Sequence, residues 1–259
     1  MRATLPGADE GALRALPGTL EVERRGESVV VRTTDSDALA PTLFFLIFGL
    51  NGAYADLRAG KGNVSASVLI SMALYGAVLA TTSGGAMVSL ERSAGWTRTL
   101  RVTPLSSAAY IAIKMVASLV LGSASVAVVY VVGAASGKPV MPLWVWIVSA
   151  VATWIGSLVF TAFGLFVGYL LPSENVMQII GFTLMLFSFG GGLFIPLSQY
   201  SPTLRTLAEL TPLWGLNGLV HFPLMGGAFD VGWVANLLAW LVLFSLGAVW
   251  RFGRATSRV

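Results

Sequence analysis

The sequence predicts an all-α polytopic membrane protein of about six transmembrane helices, the first one short, with a small cytoplasmic α+β tail at its N terminus. Three observations carry this expectation. The 259 residues are 56% hydrophobic and 11% charged, whereas soluble globular chains are roughly 25% charged. Apolar residues gather into runs at roughly 64–90, 108–134, 142–171, 176–195 and 231–250, with a clipped run at 38–50; crossing about 30 Å of hydrocarbon takes about 20 such residues. Charged residues concentrate in the first forty positions and at the ends of the apolar runs.

Composition also excludes several function classes. The net charge of +4 and pI near 9.7 come from scattered basic residues that form no stripe with aromatics, so no nucleic-acid partner is expected. There is no cysteine and His221 is the only histidine, which rules out disulfides, thiolate metal sites and His-rich metal sites. The polar, acidic first 37 residues do not read as a cleavable signal peptide.

The tail at 1–40 carries five Arg against seven Asp or Glu. LPGADEGALRALPG reads as a short helix between two Leu-Pro-Gly turns. LEVERRGESVVVRTT reads as two strands around Arg25-Gly26, with Leu20, Val22 and Val29, Val31 alternating with polar residues. A hairpin this small is marginal alone, so a loosely ordered tail is the other reading. The segment resembles the C-terminal end of the ATPase subunit of ABC transporters of the daunorubicin-resistance kind, where a small α+β domain follows the nucleotide-binding domain. No phosphate-binding loop accompanies it. Gly60-Lys61 is followed by Gly62, and Ala55 stands where the first glycine of G-x-x-x-x-G-K-[ST] belongs, so ATP hydrolysis is not expected of this chain.

The first apolar run, ALAPTLFFLIFGL at 38–50, has 13 residues; at 1.5 Å per residue it reaches about 20 Å, too little for a comfortable crossing. Two readings stay open: a fusion that lost part of both neighbours, or a half-inserted helix. Orientation follows from basic residues in short loops. Arg92, Arg98 and Arg101 between the second and third runs, and Arg251, Arg254 and Arg258 after the last, place both segments in the cytoplasm. Segments 51–63, 135–141 and 196–230 then face outward, although Arg58, Lys61 and Lys138 weaken the asymmetry. Lys114, just inside the third span, can snorkel to the cytoplasmic interface. Gly164-x-x-x-Gly168, and Gly76, Ala80, Gly84 and Gly85 on the second span, offer the close backbone approach that membrane helices use for packing.

Between the second and third spans lies ERSAGWTRTLRVTPLS at 91–106. A short helix would set Trp96 and Leu100 on one face, and Pro104 would stop it. Physics alone leaves two readings, an interfacial amphipathic helix or an ordinary basic loop. The pattern Glu91, Arg92, Gly95, Trp96, Leu100, Thr103, Pro104 is similar to the coupling-helix loop of type 2 ABC exporter permeases, which would seat it in a groove of an ATPase, with Arg98 and Arg101 adding basic contacts. Ser93 departs from the acidic residue frequent there. A second feature agrees: GGLFIPLSQYSPTLRTLAELTPLWGLNGLV at 191–220 looks like the end of that family's fifth span, with Pro196 and then Pro212-Leu213-Trp214 before the last span. Together the motifs cover 41–250.

Leu204, Leu207, Leu210 and Trp214 fall at helical spacing in the outer segment. Pro196, Pro212 and Trp214 are outer-gate candidates, since irregular backbone at membrane depth has to be buried or line a cavity; a surface-lying amphipathic helix is the alternative. A Ser83–His221 protease pair is not expected, because the two residues fall toward opposite ends of the bundle. Span interiors nearly lack ionisable residues, which proton-coupled transporters use as relays, so the energy source should lie outside the membrane domain. The resemblance implies the transmembrane subunit of an ATP-driven exporter of a hydrophobic or amphipathic, drug-like or lipid-like substrate. It implies a bacterial plasma membrane protein surrounded by lipid, with 41–259 as the transmembrane domain. Its partners would be a second copy or a homologous permease and a separate ABC ATPase that binds ATP and Mg, with no cofactor on this chain. The alternatives are a non-transporting adaptor or fusion remnant, and a secondary transporter.

Overall fold

The computed structural model describes residues 2–4, 19–25, 28–33, 36–50, 57–95 and 107–257. In the tail, β1 (Arg2–Thr4), β2 (Thr19–Arg25) and β3 (Ser28–Thr33) form an antiparallel sheet in the order β1-β3-β2. Val22 lies opposite Val31 and Arg25 opposite Ser28. Beyond the two strands read from the sequence, Arg2–Thr4 adds a third along β3; three residues are too few for alternation to signal a strand. The helix expected within 5–18 lies outside the described residues.

Helix α1 (Ser36–Phe44) contains Pro41 and runs into a π-helical stretch, Phe45–Gly49. Its apolar part, Ala40–Gly49, is short, about 15 Å at 1.5 Å per residue. After a tight hairpin of β4 (Arg58–Ala59) and β5 (Gly62–Asn63) comes α2 (Val64–Ala86), which continues through Met87 into α3 (Val88–Ser93). Then follow α4 (Ser107–Ser136), α5 (Leu143–Gly156), α6 (Leu158–Leu170), α7 (Ser173–Gly190), α8 (Pro202–Glu209), α9 (Pro212–Met225) and α10 (Val231–Ser257).

Among the described residues, four stretches are long and apolar enough to cross a membrane: Val64–Ser93, Ala109–Ser136, Leu143–Leu170 and Val231–Gly253. Of the six crossings expected from sequence, four correspond to these stretches, and the other two runs fall on pieces that do not meet that length and apolarity. One is the 40–49 helix. The other is α7, whose first two turns hold Ser173, Glu174, Asn175 and Gln178 and dilute its apolar content.

The centre of the bundle is α2, with α4 packed on one side and α6 on the other. Lipid supplies no hydrophobic drive for helix association, so contact depends on fit. Along the α2–α6 seam a Cβ on Gly164 would stand 2.1 Å from the Thr82 carbonyl oxygen, and one on Gly85 would stand 2.5 Å from that of Thr161. Gly168 lies against Ala86 and Val88. The Gly164-x-x-x-Gly168 pair thus serves contact within the chain. Thr81 Oγ1 lies 2.7 Å from Ala77 O of its own helix and 3.2 Å from Ser157 O, so α2 meets the junction of α5 and α6 at this side chain. Phe163 joins Phe187 of α7 and Phe244 of α10 in the same core. Away from the core, Ile113, Val116 and Val120 of α4 and Leu238, Val242 and Leu246 of α10 are exposed. Apolar surface in such stripes suits lipid or a partner helix.

Candidate functional site at the end of the second span

The loop motif begins on α3, the last turns of the long second helix. Helix α3 ends with Ala94 N donating to Leu90 O at 2.9 Å and Gly95 N to Arg92 O at 3.1 Å. Gly95 has φ of +80° and open space where a Cβ would be. The position calls for glycine because of its left-handed backbone, as at a helix C-terminal stop, and this gives Gly95 of the motif a physical reason. Trp96, Arg98, Leu100, Arg101, Thr103 and Pro104 lie outside the described residues.

Glu91 and Arg92 point to two different neighbours. The Glu91 carboxylate accepts from Tyr110 Oη at 2.6 Å through Oε2, and its Oε1 pairs with Lys114 Nζ. Tyr110 and Lys114 are one turn apart on α4, so both reach the same acidic group. Arg92 donates through Nη1 to Tyr169 O and through Nη2 to Leu171 O, each at 2.7 Å. Those carbonyls belong to the C-terminal end of α6, where the last carbonyls of a helix have no intrahelical partner and the macrodipole is negative. A planar guanidinium with parallel donors fits two such acceptors, whereas a lysine ammonium satisfies them only as a point charge.

An apolar plug closes the junction from beneath. Tyr110 stacks on Phe252 of α10 at 5.5 Å between ring centroids, and Tyr169 meets the same ring edge-on at 5.5 Å. Tyr110, Tyr169 and Phe252 are buried with Val88, Ile111, Leu165 and Ala248. Helices α3, α4, α6 and α10 therefore converge at Glu91 and Arg92, near the end of α3. A force applied to α3 would reach α4 through Glu91 and α6 through Arg92.

At the opposite end, Pro202 and Pro212 each occupy a first-turn position of a helix, behind the caps Ser201 and Thr211. Helix α8 and its C-cap leave Leu204, Leu207 and Leu210 exposed, which suits a helix lying in the membrane interface. Helix α9 is drawn into the bundle, with Pro212, Leu213, Gly215, Leu216 and Val220 buried. Side-chain amides tie these pieces down: Asn217 Nδ2 donates to Gly191 O at 3.2 Å and Gly192 O at 3.0 Å, and Asn236 Nδ2 donates to Glu209 O at 3.1 Å. Trp240 Nε1 donates to Leu210 O at 3.0 Å. Of the gate candidates, Pro196 is exposed ahead of a 3-10 turn, Pro212 is buried, and Trp214 is half-buried near Gly232. His221 Nε2 lies 3.2 Å from Ser71 Oγ, and its Nδ1 lies 3.1 Å from Asn217 O, so it joins α9 to α2 and does not meet Ser83.

From sequence Lys114 reads as a snorkelling cation, and Tyr110, Tyr169 and Phe252 belong to no motif. The one signal available was the Tyr110–Lys114 spacing opposite Glu91 across a short loop. Tyr169 and Phe252 come together only through the tertiary fold.

Residues 31–222 match the ABC-2 type transporter family. Over 210 residues the chain is 25% identical to YvfS of Bacillus subtilis (strain 168), which carries the name of a transport permease; the similarity covers 80% of this chain and 84% of that protein.

Proposed function

This chain belongs to the ABC-2 type transporter family, and we propose that it is the transmembrane subunit of an ATP-driven exporter, coupled to a separate ABC ATPase through residues 91–106. The observation that carries the proposal is the anchoring of this segment: Glu91 holds α4 and Arg92 holds the end of α6. Closure of two ATPases on nucleotide would push the 91–106 segment, and α3 would transmit the shift to both helices as a rigid body. ATP and Mg belong to the partner, and this chain pairs with a second copy or a homologous permease.

The proposed topology has six crossings in the bacterial plasma membrane: the four long stretches, the 40–49 helix and α7. The 91–106 segment and both termini then face the cytoplasm. We divide the chain into a tail at 1–40 and a membrane domain at 41–259; the family match begins at residue 31, within β3 and ahead of that boundary. We assign the tail to the kind of domain that ends daunorubicin-type ATPase subunits. A hydrophobic or amphipathic, drug-like or lipid-like substrate fits spans in which α2, α5 and α6 carry no Asp, Glu, Lys or Arg. On this reading Asn217, Asn236 and Trp240 fasten the outer gate in its closed state, around Pro196, Pro212 and Trp214.

Co-purification with the ATPase tests the coupling. Trp96→Ala and Arg98→Glu should weaken association while membrane insertion is retained; unchanged association refutes the coupling segment. ATP-dependent efflux separates the exporter from a non-transporting adaptor, which would bind the ATPase and move nothing.

A further inference from the structure

Away from Glu91, the opposite end of the bundle carries a basic depression that the transport mechanism does not use. It measures about 470 Å³ and is lined by Arg58, Gly60, Lys61, Gly62, Asn63 and Val140. Its walls are fixed by backbone contact. Lys61 N donates to Leu224 O at 2.7 Å and Asn63 N to Val140 O at 3.1 Å. Asn63 Oδ1 caps α2 at Ala66 N and also accepts from Val140 N, each at 3.0 Å, while its Nδ2 donates to Lys138 O at 2.8 Å. A Cβ on Gly60 would stand 2.2 Å from Leu224 O, and one on Gly62 would stand 2.4 Å from Val140 O. The hairpin is therefore clamped between α9 and the loop before α5.

The chemistry presented there is cationic on one side and apolar on the other. Arg58 and Lys61 are exposed, and neither has an ion-pair partner among the described residues. Among the described residues no carboxylate lines the depression, and Asp230 turns Oδ1 to Gly232 N at 2.7 Å; Asp56 lies outside the described residues. Lys61 Nζ stands 4.7 Å from the centroid of the Trp144 ring. Trp144 sits in the first turn of α5, beside exposed Leu143 and Val140, where a tryptophan marks the membrane–water interface. Basic residues are disfavoured as topology signals on this face, so their clustering beside an interfacial aromatic calls for a ligand.

We infer that the depression formed by Arg58, Lys61 and the Asn63 turn binds the phosphate of an anionic phospholipid headgroup, with the acyl chains along Val140, Leu143 and Trp144. The ligand is a lipid of the surrounding leaflet, and the inference is independent of substrate and coupling. Attraction of an anionic lipid amounts to about fivefold for each nearby cation.

The test uses Trp144 as the reporter. The full chain is reconstituted in bilayers mixing phosphatidylcholine with either brominated phosphatidylglycerol or brominated phosphatidylcholine. The Trp144 signal is isolated by difference from Trp144→Phe. Brominated phosphatidylglycerol should quench that signal at several-fold lower mole fraction than brominated phosphatidylcholine. The preference should shrink in Arg58→Gln, which changes only an exposed side chain, and vanish in the Arg58→Gln, Lys61→Gln double variant. Equal quenching by the two lipids in the unaltered chain overturns the inference, as does a preference that survives the double substitution. Loss of the preference in millimolar inorganic phosphate, with ionic strength held constant, would show a free-anion site and overturn it too.

Discussion

Replacing Arg92 tests the junction most sharply, because its two hydrogen bonds to the end of α6 are resolved individually. Each is a charge-assisted contact at 2.7 Å, of a kind that contributes about 1.5–3 kcal/mol. Arg92 is half-buried, so water replaces part of what is lost and the low end applies: about 3 kcal/mol for Arg92→Met and about 1.5 kcal/mol for Arg92→Lys. Lysine keeps the charge beside the helix C-terminus but not the paired geometry. A domain of this size loses about 2–4 °C of Tm per kcal/mol, giving drops of about 6–12 °C for Met and about 3–6 °C for Lys. Intrinsic tryptophan fluorescence during heating of the purified chain in detergent reads the transition. A shift below 1 °C for Arg92→Met, or an Arg92→Lys variant indistinguishable from the unaltered chain, would refute the helix-end clamp.

Three further outcomes are expected. A double-mutant cycle of Glu91→Gln and Lys114→Met should return a coupling of about 1–2 kcal/mol, because the pair is partly buried; additive effects would mean that the ion pair contributes nothing. Gly164→Leu should abolish folded expression, since its Cβ would collide with the Thr82 carbonyl at 2.1 Å. Gly181→Ala, with open space around it, should raise stability by about 0.5–1 kcal/mol, and the contrast is read by size-exclusion chromatography and Tm. Asn217→Ala should cost about 1–2 kcal/mol by freeing Gly191 O and Gly192 O, and should raise substrate leak in the absence of ATP if these bonds fasten the outer end.

Much of the fold was legible because a bilayer imposes length and apolarity on every crossing segment. The long helices at 64–93, 109–136, 143–170 and 231–253 follow directly from apolar runs. Helix α7 shows where that logic weakens: Glu174, Asn175 and Gln178 dilute the run although the backbone remains helical to Gly190. In the outer segment the spacing of Leu204, Leu207, Leu210 and Trp214 reads as one short helix, whereas the chain divides at Thr211 into α8 and α9, and the burial of α9 depends on packing against α2, α5 and α10. In the junction, Glu91, Arg92 and Gly95 were singled out by motif. Only Gly95 has a reason visible along the chain, a helix stop. The partners of Glu91 and Arg92 lie 19 to 79 residues away, and Phe252 reaches the site from the last helix. Separations of that order leave no local sequence trace.

The proposed coupling role of 91–106 is most directly measured by cross-linking, which the absence of native cysteine makes clean. A thiol-reactive photocross-linker placed through Leu100→Cys should join this chain to the ATPase in membranes, with a yield that changes when ATP is added. Lys138→Cys, at the other end of the bundle, should give no adduct. An absent Leu100→Cys adduct, or equal adducts from both positions, would contradict transmission of ATPase motion through the Glu91–Arg92 junction.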